Sequence, residues 1–112
     1  MTVEIKNLSG DVTHIHEGAH LVGANLCWAE LHDADLREAD MSGSGLVDAN
    51  LQGACLVGAC LVGADLREAN LCGANLRCAN LRGADLRGAC LIGADLRNAD
   101  LYGIKVNEKT TF

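Results

Sequence analysis

The chain has 112 residues, of which 49% are apolar and 3% aromatic, a composition that fits one domain with a narrow core. It contains no proline, which excludes a proline-rich linker. Its net charge of −6 argues against direct binding of nucleic acid, as does the lack of a basic patch with aromatic residues in the sequence. The longest weakly polar run, residues 53–64, is too short to cross a bilayer, and residues 1–6 lack an apolar signal segment, so we expect a cytoplasmic protein without membrane contact.

Residues 1–18 are predicted to form a β cap at the N-terminal end. Residues 3–7 and 12–16 alternate between apolar and polar side chains as strands do, and the turn-rich residues 8–11 connect them. A hairpin or two strands here would cover the first leucines and shield a sheet edge. His14 and His16 lie on one face, but no carboxylate or cysteine at a fixed spacing completes a metal site. We therefore interpret both as solvated residues and expect no metal or other cofactor.

A period of five residues governs residues 19–103. Seventeen consecutive units are centred on residues 21 to 101, and sixteen centres are leucine while one is Met41. Two positions before the centre, sixteen units carry alanine and one carries Ser44, and the residue in between is Asp or Asn in eleven units. Two positions after the centre, ten units carry glycine. The unit of residues 44–46 departs most from this pattern, so we expect a bulge or bend there.

This period predicts short extended segments joined by tight corners. It matches neither the helical period of about 3.6 residues nor one long strand, so each unit must contain an extended piece and a turn. In the extended piece, alanine and leucine point inward while the Asp or Asn between them points outward. Glycine, or a short polar residue such as Asp33, Asp48 or Asn98, suits the corner. The simplest closed figure is an all-β solenoid, a four-sided tube of about four coils with about twenty residues per coil.

The repeated motif resembles that of the pentapeptide-repeat family. The pattern A(D/N)LXX runs from Ala24-Asn25-Leu26 to Ala99-Asp100-Leu101, and the resemblance covers about residues 19–103. It implies a right-handed quadrilateral β-helix. It also implies a non-enzymatic structural or protein-interaction rod with an unknown protein partner. Some members of the family imitate duplex DNA and bind DNA gyrase, and this is the alternative function.

The sequence bears on the gyrase alternative in both directions. The negative charge and the acidic residues 30–40 agree with imitation of DNA. Arginines interrupt the negative walls, however, no inserted loops project from the coils, and the residues after Leu101 are too few for a dimerising C-terminal helix of the kind such proteins have. We therefore treat gyrase as a disfavoured partner. Catalysis is the least supported function, because regular walls around a filled interior offer no pocket.

Acidic residues concentrate in the N-terminal half of the chain. Residues 1–50 contain nine acids and two bases, whereas residues 51–112 contain six acids and seven bases. The candidate partner surface consists of Trp28, Glu30, Asp33, Asp35, Glu38 and Asp40. An exposed tryptophan would be a suitable anchor for a partner, although packing of the Trp28 ring against the neighbouring coil is the simpler interpretation.

Two arginine ladders are predicted in the second half, Arg67 with Arg87 on one wall and Arg77 with Arg97 on the opposite wall. Aspartates two residues before three of these arginines would neutralise part of their charge. The ladders could bind a phosphate or carboxylate partner, but a solubilising surface of mixed charge is the simpler interpretation.

The six cysteines are predicted to be free thiols. Stacking the sequence at about twenty residues per coil places no cysteine directly above another, and the sequence contains no CxxC pair for a metal. Cys55, Cys60 and Cys90 occupy outward positions where Asp or Asn is usual. We therefore interpret them as neutral substitutions.

Residues 104–112 are predicted to form a C-terminal tail or cap. The five-residue pattern continues only weakly there, and the last residues are too few for a capping helix. An open last coil would allow two rods to pair end to end as a homodimer. Alternatively, a loop could fold Phe112 over the last leucines.

Overall fold

The computed structural model describes residues 2–6, 12–17 and 21–112. Strand β1 (Thr2–Lys6) pairs antiparallel with strand β2 (Val12–Glu17), with a register shift between Ile5 and Lys6. Ile5 is buried and belongs to the hydrophobic core cluster. The two predicted strands are therefore present. The side chains of His14 and His16 lie outside the described part of the chain, and the division into cap, repeat domain and tail stays a prediction.

From residue 21 onward, the backbone winds as a right-handed quadrilateral β-helix. The units whose middle residues run from Asn25 to Asp85 each form a single parallel bridge with the unit twenty residues later, as between Asn50 and Asn70. The bridges remain single because a corner follows every extended triplet. Wall A carries the centres Leu21, Met41, Leu61, Leu81 and Leu101; wall B carries Leu26, Leu46, Leu66 and Leu86; wall C carries Leu31, Leu51, Leu71 and Leu91; wall D carries Leu36, Leu56, Leu76 and Leu96.

Backbone hydrogen bonds join each wall to the coils on both sides. The Leu51 amide donates to the Asn70 carbonyl at 2.7 Å, and the Asn70 amide donates to the Ala49 carbonyl at 2.9 Å. The corner closes where the Ala54 amide donates to the Leu51 carbonyl at 3.0 Å. The corner residue Gly53 has a φ of 70°, a left-handed conformation that costs glycine little. This requirement explains the glycines at the end of so many units.

The interior contains the leucines and alanines of all four walls. The centres from Leu26 to Leu86 are between 0% and 3% exposed. Ser44 occupies an alanine position and is also fully buried, and its hydroxyl has no hydrogen-bond partner within the described residues. The bridges from Asn25 to Gly45 and from Gly45 to Asp65 keep the twenty-residue spacing. The expected bulge or bend at this unit is therefore wrong, because serine is small enough to fill the place of alanine.

The last unit of the structure contains one residue more than the units before it. Cys90 bridges Thr111, one residue beyond the usual spacing. A turn accommodates the extra residue, with the Thr110 hydroxyl donating to the Leu86 carbonyl at 2.8 Å. Phe112 is 64% exposed, so the alternative in which a loop folds Phe112 over the last leucines is wrong. Within the described ranges, no helix has the length and apolar character needed to cross a membrane.

Candidate functional site

The six residues of the candidate partner surface wind around the tube and do not share one face. Trp28 lies at the corner between walls B and C, Glu30 on wall C, Asp33 at the corner between walls C and D, Asp35 on wall D, Glu38 at the corner between walls D and A, and Asp40 on wall A. A partner that approaches one wall can therefore contact only part of this set. Two subsets of three share a side: Trp28, Glu30 and Asp33 around wall C, and Asp33, Asp35 and Glu38 around wall D. The subset on wall C is the one that includes the exposed Trp28 ring.

Wall C contains an open groove of about 590 Å³. It is lined by Glu30, His32, Asp33, Asn50, Gln52, Gly53, Cys72 and Gly73. The Asn50 side-chain amide donates to the Glu30 carboxylate at 3.0 Å, and His32 Nδ1 lies 3.8 Å from the same carboxylate. The outward residues that follow the wall C centres are His32, Gln52, Cys72 and Ile92, so this wall has no arginine or lysine beside its carboxylates.

Trp28 is exposed at its corner. The residue is 72% exposed, and its backbone φ is 66°. The interpretation that the ring packs against the neighbouring coil is therefore wrong. The left-handed conformation turns the side chain outward and costs a residue with a Cβ atom roughly 1–2 kcal/mol. The backbone keeps its place in the wall, because the Trp28 amide donates to the Val47 carbonyl at 3.0 Å.

Aspartates on the same walls pair with three of the four arginines of the ladders, Arg67, Arg87 and Arg97. Arg97 makes two hydrogen bonds to the Asp95 carboxylate, at 2.6 and 2.9 Å. These hydrogen bonds, opposed by partial desolvation, lower the pKa of Asp95 to about 2. The same arrangement joins Arg37 to Asp35, Arg67 to Asp65 and Arg87 to Asp85, and each lowers the pKa of its aspartate. The predicted partial neutralisation is confirmed.

Wall B has a second groove, of about 290 Å³, between its arginines. Arg67 and Arg87 line it together with Val47, Glu68 and Asn107. Arg67 is paired with Asp65 at 2.7 Å and also lies 4.0 Å from Asp85. Both guanidinium groups therefore already have carboxylate partners, which leaves the mixed-charge interpretation of this ladder better supported than anion binding.

The prediction of six free thiols is wrong. Cys72 and Cys90 form a disulfide with their Cα atoms 5.8 Å apart. Cys90 bridges Asn70, and Cys72 follows Asn70 by two residues on the same wall, so the bond runs diagonally between adjacent coils. The sequence reasoning considered only residues twenty apart and missed the diagonal neighbour eighteen residues away. The free cysteines are Cys27, Cys55, Cys60 and Cys78.

The same diagonal brings other outward side chains together. The Ser42 hydroxyl lies 3.0 Å from the Cys60 sulfur, and Arg82 lies 3.5 Å from the Asp100 carboxylate. The Arg82 guanidinium also lies 4.8 Å from the centre of the Tyr102 ring. Tyr102 is 73% exposed on wall A, opposite wall C. Sequence reasoning did not find this cluster, in which Arg82 meets Asp100 along the diagonal of eighteen residues and Tyr102 directly one coil later.

No metal centre accompanies these surfaces in the part of the chain that the structure describes. Within residues 2–6, 12–17 and 21–112, no three His, Cys, Asp or Glu residues come together as they would around a metal ion.

Comparisons with known proteins agree with this geometry. The family model for pentapeptide repeats matches eight copies, in residues 17–46, 29–67 and 64–103. The crystal structure of a pentapeptide repeat protein from Nostoc PCC 7120 is similar, with 42% identity and a TM-score of 0.63, and the alignment covers 79% of this chain and 73% of that one. A pentapeptide repeat protein of the Arabidopsis thaliana thylakoid lumen is 34% identical, with a TM-score of 0.50.

The chain spans less of the other similar structures. The alignment with the Arabidopsis protein covers 76% of this chain and 59% of that protein. QnrB1, a plasmid-mediated fluoroquinolone resistance protein, is 17% identical with a TM-score of 0.32, and the alignment covers 75% of this chain and 62% of QnrB1. This similarity is too low to support an argument about function. A search of curated proteins finds no match.

Proposed function

Because this chain belongs to the pentapeptide-repeat family, we propose that it is a non-enzymatic rod that binds another protein through its outer walls. The observation that carries this proposal is the filled interior. The central side chains from Leu26 to Leu86 are at most 3% exposed, so leucine side chains occupy the axis of the tube over these residues. Recognition is left to the outward residues of the walls and corners.

The N-terminal end of wall C is the surface we propose for the partner. Trp28 offers a large exposed ring, and aromatic residues dominate the energetics of many interfaces. Glu30 and Asp33 lie beside it with no arginine or lysine on their wall. The partner is therefore expected to present basic side chains next to an apolar contact, because opposite charges favour encounter and set orientation.

The other three acidic residues contribute less to this surface. Asp35 already accepts two hydrogen bonds from Arg37, at 2.6 and 2.8 Å. Asp40 accepts hydrogen bonds from the Ser42 amide and hydroxyl, and Glu38 lies at a different corner. Their role is the long-range field of the acidic end rather than direct contact.

A quantitative pull-down from host lysate tests the proposed surface. Trp28→Ala and Glu30→Lys should each reduce recovery of a specific partner at least tenfold, as loss of an interface anchor does. Tyr102→Ala is the matched control, because Tyr102 is as exposed as Trp28 but lies on the opposite wall. Equal recovery by all three variants would remove wall C from the proposal.

The DNA-mimic alternative, with DNA gyrase as partner, receives less support from the charges. The acidic end has the required sign, but four aspartates on walls B and D are paired with arginines, so the negative charge is not continuous along the tube. A supercoiling assay with purified gyrase decides this point. Inhibition of supercoiling or protection from a quinolone at low micromolar protein would favour the alternative, and an unchanged reaction would eliminate it.

End-to-end pairing of two rods is proposed for the C-terminal coil. Leu96, Leu101 and Ile104 are only partly buried among the described residues, and Val106 and Phe112 are exposed beside them. An uncovered sheet edge favours pairing with another chain. Sedimentation velocity over a concentration series should show a dimer that Val106→Lys weakens. A monomer at all concentrations would contradict the pairing.

A cytoplasmic location stays a proposal. Four of the six cysteines are free thiols, which is typical of proteins in a reducing compartment. In such a compartment the Cys72–Cys90 disulfide would have to be a transient or redox-sensing bond, as disulfides there usually are. Fractionation of host cells tests this location, and recovery of the protein in an oxidising compartment would contradict it.

A further inference from the structure

The Cys72–Cys90 disulfide joins two coils at a defined place in the tube. Cys72 follows the centre Leu71 and Cys90 precedes the centre Leu91, so the bond closes one complete coil on wall C. The position depends on the wall geometry, since the same diagonal brings Ser42 to Cys60 at 3.0 Å. The two sulfurs are therefore held together by the backbone ladder and do not rely on a flexible corner.

Both cysteines of the bond are partly exposed residues of the outer wall. Cys72 and Cys90 point outward and are only partly buried, in contrast with the leucines between them. The open groove of wall C ends at Cys72 and approaches the bond along Gln52 and Gly53. Accessibility of this kind is typical of labile disulfides, whereas structural disulfides are usually protected.

The bond lies directly before residues 91–112, the last coil that the structure describes. Residues 91–112 contact a coil on one side over most of their length, and hydrogen bonds such as Asp95 amide to Ala74 carbonyl, at 2.9 Å, hold them there. In a stack where each coil contacts only its neighbours, a coil that packs on one side opens more easily than the coils before it, and opening proceeds coil by coil. With the disulfide closed, residues 73–90 form a cross-linked loop whose opening gains little entropy.

We propose that Cys72–Cys90 is a reversible redox site that sets how far the C-terminal end of the tube can open. In the oxidised protein, opening stops after the last coil, residues 91–112. In the reduced protein, opening extends through residues 73–90, and the centres Leu76, Leu81 and Leu86 become accessible. The inference does not depend on the identity of the protein partner.

A protein dithiol is the class of reductant that the proposal requires. A thiolate of the dithiol attacks one of the two sulfurs, forms a mixed disulfide and releases the other cysteine as a thiolate, which takes up a proton. The second thiolate of the reductant then attacks the mixed disulfide and releases the first cysteine. The protein gains two electrons and two protons, and the reductant becomes a disulfide.

Hydrogen exchange of the oxidised and reduced protein tests the proposal, with dithiothreitol as the reductant. Alkylation followed by mass measurement should count four thiols before reduction and six after it. Reduction should accelerate amide exchange in residues 73–90 by about a hundredfold, as expected for release of a loop of this size. Exchange in residues 26–60 should change less than about twofold, because these coils lie beyond the cross-link.

Two variants serve as controls. Cys72→Ser should show the exchange of the reduced protein in both conditions, and Cys55→Ser, which removes a free thiol from wall D, should respond as the unmodified protein does. If Cys72→Ser does not fold, the reduced protein of unmodified sequence still gives the measurement. Six thiols before reduction, unchanged exchange in residues 73–90, or acceleration over the whole chain would each overturn the proposal.

Titration with glutathione buffers separates a switch from a permanent cross-link. A reversible site should change from disulfide to dithiol as the buffer passes from mostly oxidised to mostly reduced glutathione. A bond that stays closed in fully reduced glutathione and also with a reduced protein dithiol such as thioredoxin would overturn the redox role, even if it stabilises the fold.

Discussion

Replacing Ser44 with alanine is expected to raise the free energy of unfolding by about 1 kcal/mol. The Ser44 hydroxyl is fully buried and has no hydrogen-bond partner within the described residues. Burying such a group costs about 1–3 kcal/mol in protein mutational data. Removal of one oxygen also loses a few van der Waals contacts of about 0.1–0.2 kcal/mol each, which offsets part of the gain.

The reverse substitution at the neighbouring coil is the matched control. Ala64 lies twenty residues after Ser44 at the same place in its unit and is 1% exposed. Ala64→Ser should therefore lower the free energy of unfolding by about 1–3 kcal/mol. Urea denaturation followed by circular dichroism measures both changes from the midpoint at constant slope. Destabilisation by Ser44→Ala would refute the reasoning, because it would mean that the hydroxyl has a partner.

Three further substitutions or conditions test the packing, the charges and the cross-link. Leu66→Ala should lower the free energy of unfolding by about 3–4 kcal/mol, because Leu66 is fully buried. Leu101→Ala should lower it by less than half of that, because Leu101 is only partly buried. Equal losses in denaturation experiments would contradict the filled axis. Because the pKa of Asp95 is lower in the folded protein than in the unfolded chain, where it is near 3.9, its carboxylate stabilises the fold above that pH. This stabilisation is lost as pH falls through about 2. An Asp95→Asn variant should therefore show a smaller drop in the free energy of unfolding between about pH 4 and pH 2. Removing the disulfide by Cys72→Ser with Cys90→Ser should cost about 3 kcal/mol in oxidised protein, and an unchanged denaturation midpoint would contradict this.

The walls were predictable because one physical requirement repeats along the chain. A leucine at every fifth position must point to a common axis, and the residue on either side of it must then point outward. The pairing of Asp95 with Arg97 follows from the same alternation, since both flank Leu96 on its outward side. These features need only the period and the direction of the side chains.

The features that the sequence did not predict depend on geometry beyond that period. The Cys72–Cys90 bond requires the diagonal between coils, which stacking at twenty residues overlooks. Trp28 is exposed because its backbone is left-handed. This conformation is typical of the glycines at other corners, so the sequence did not predict it for a tryptophan. Ser44 is buried and the bridges around it keep their spacing of twenty residues, because serine is nearly as small as alanine. The departure of this unit from the repeated sequence pattern had no effect on the backbone.

A second cross-link on the same diagonal tests the coil geometry most directly. Ser42 and Cys60 are eighteen residues apart on wall A, with 3.0 Å between the hydroxyl and the sulfur. The structure predicts that the oxidised Ser42→Cys variant forms a second disulfide with Cys60, so that three thiols remain free and digestion yields a linked peptide containing positions 42 and 60. Five free thiols, or a bond from position 42 to Cys27 or Cys55 instead, would contradict the stacked square coils on which the account depends.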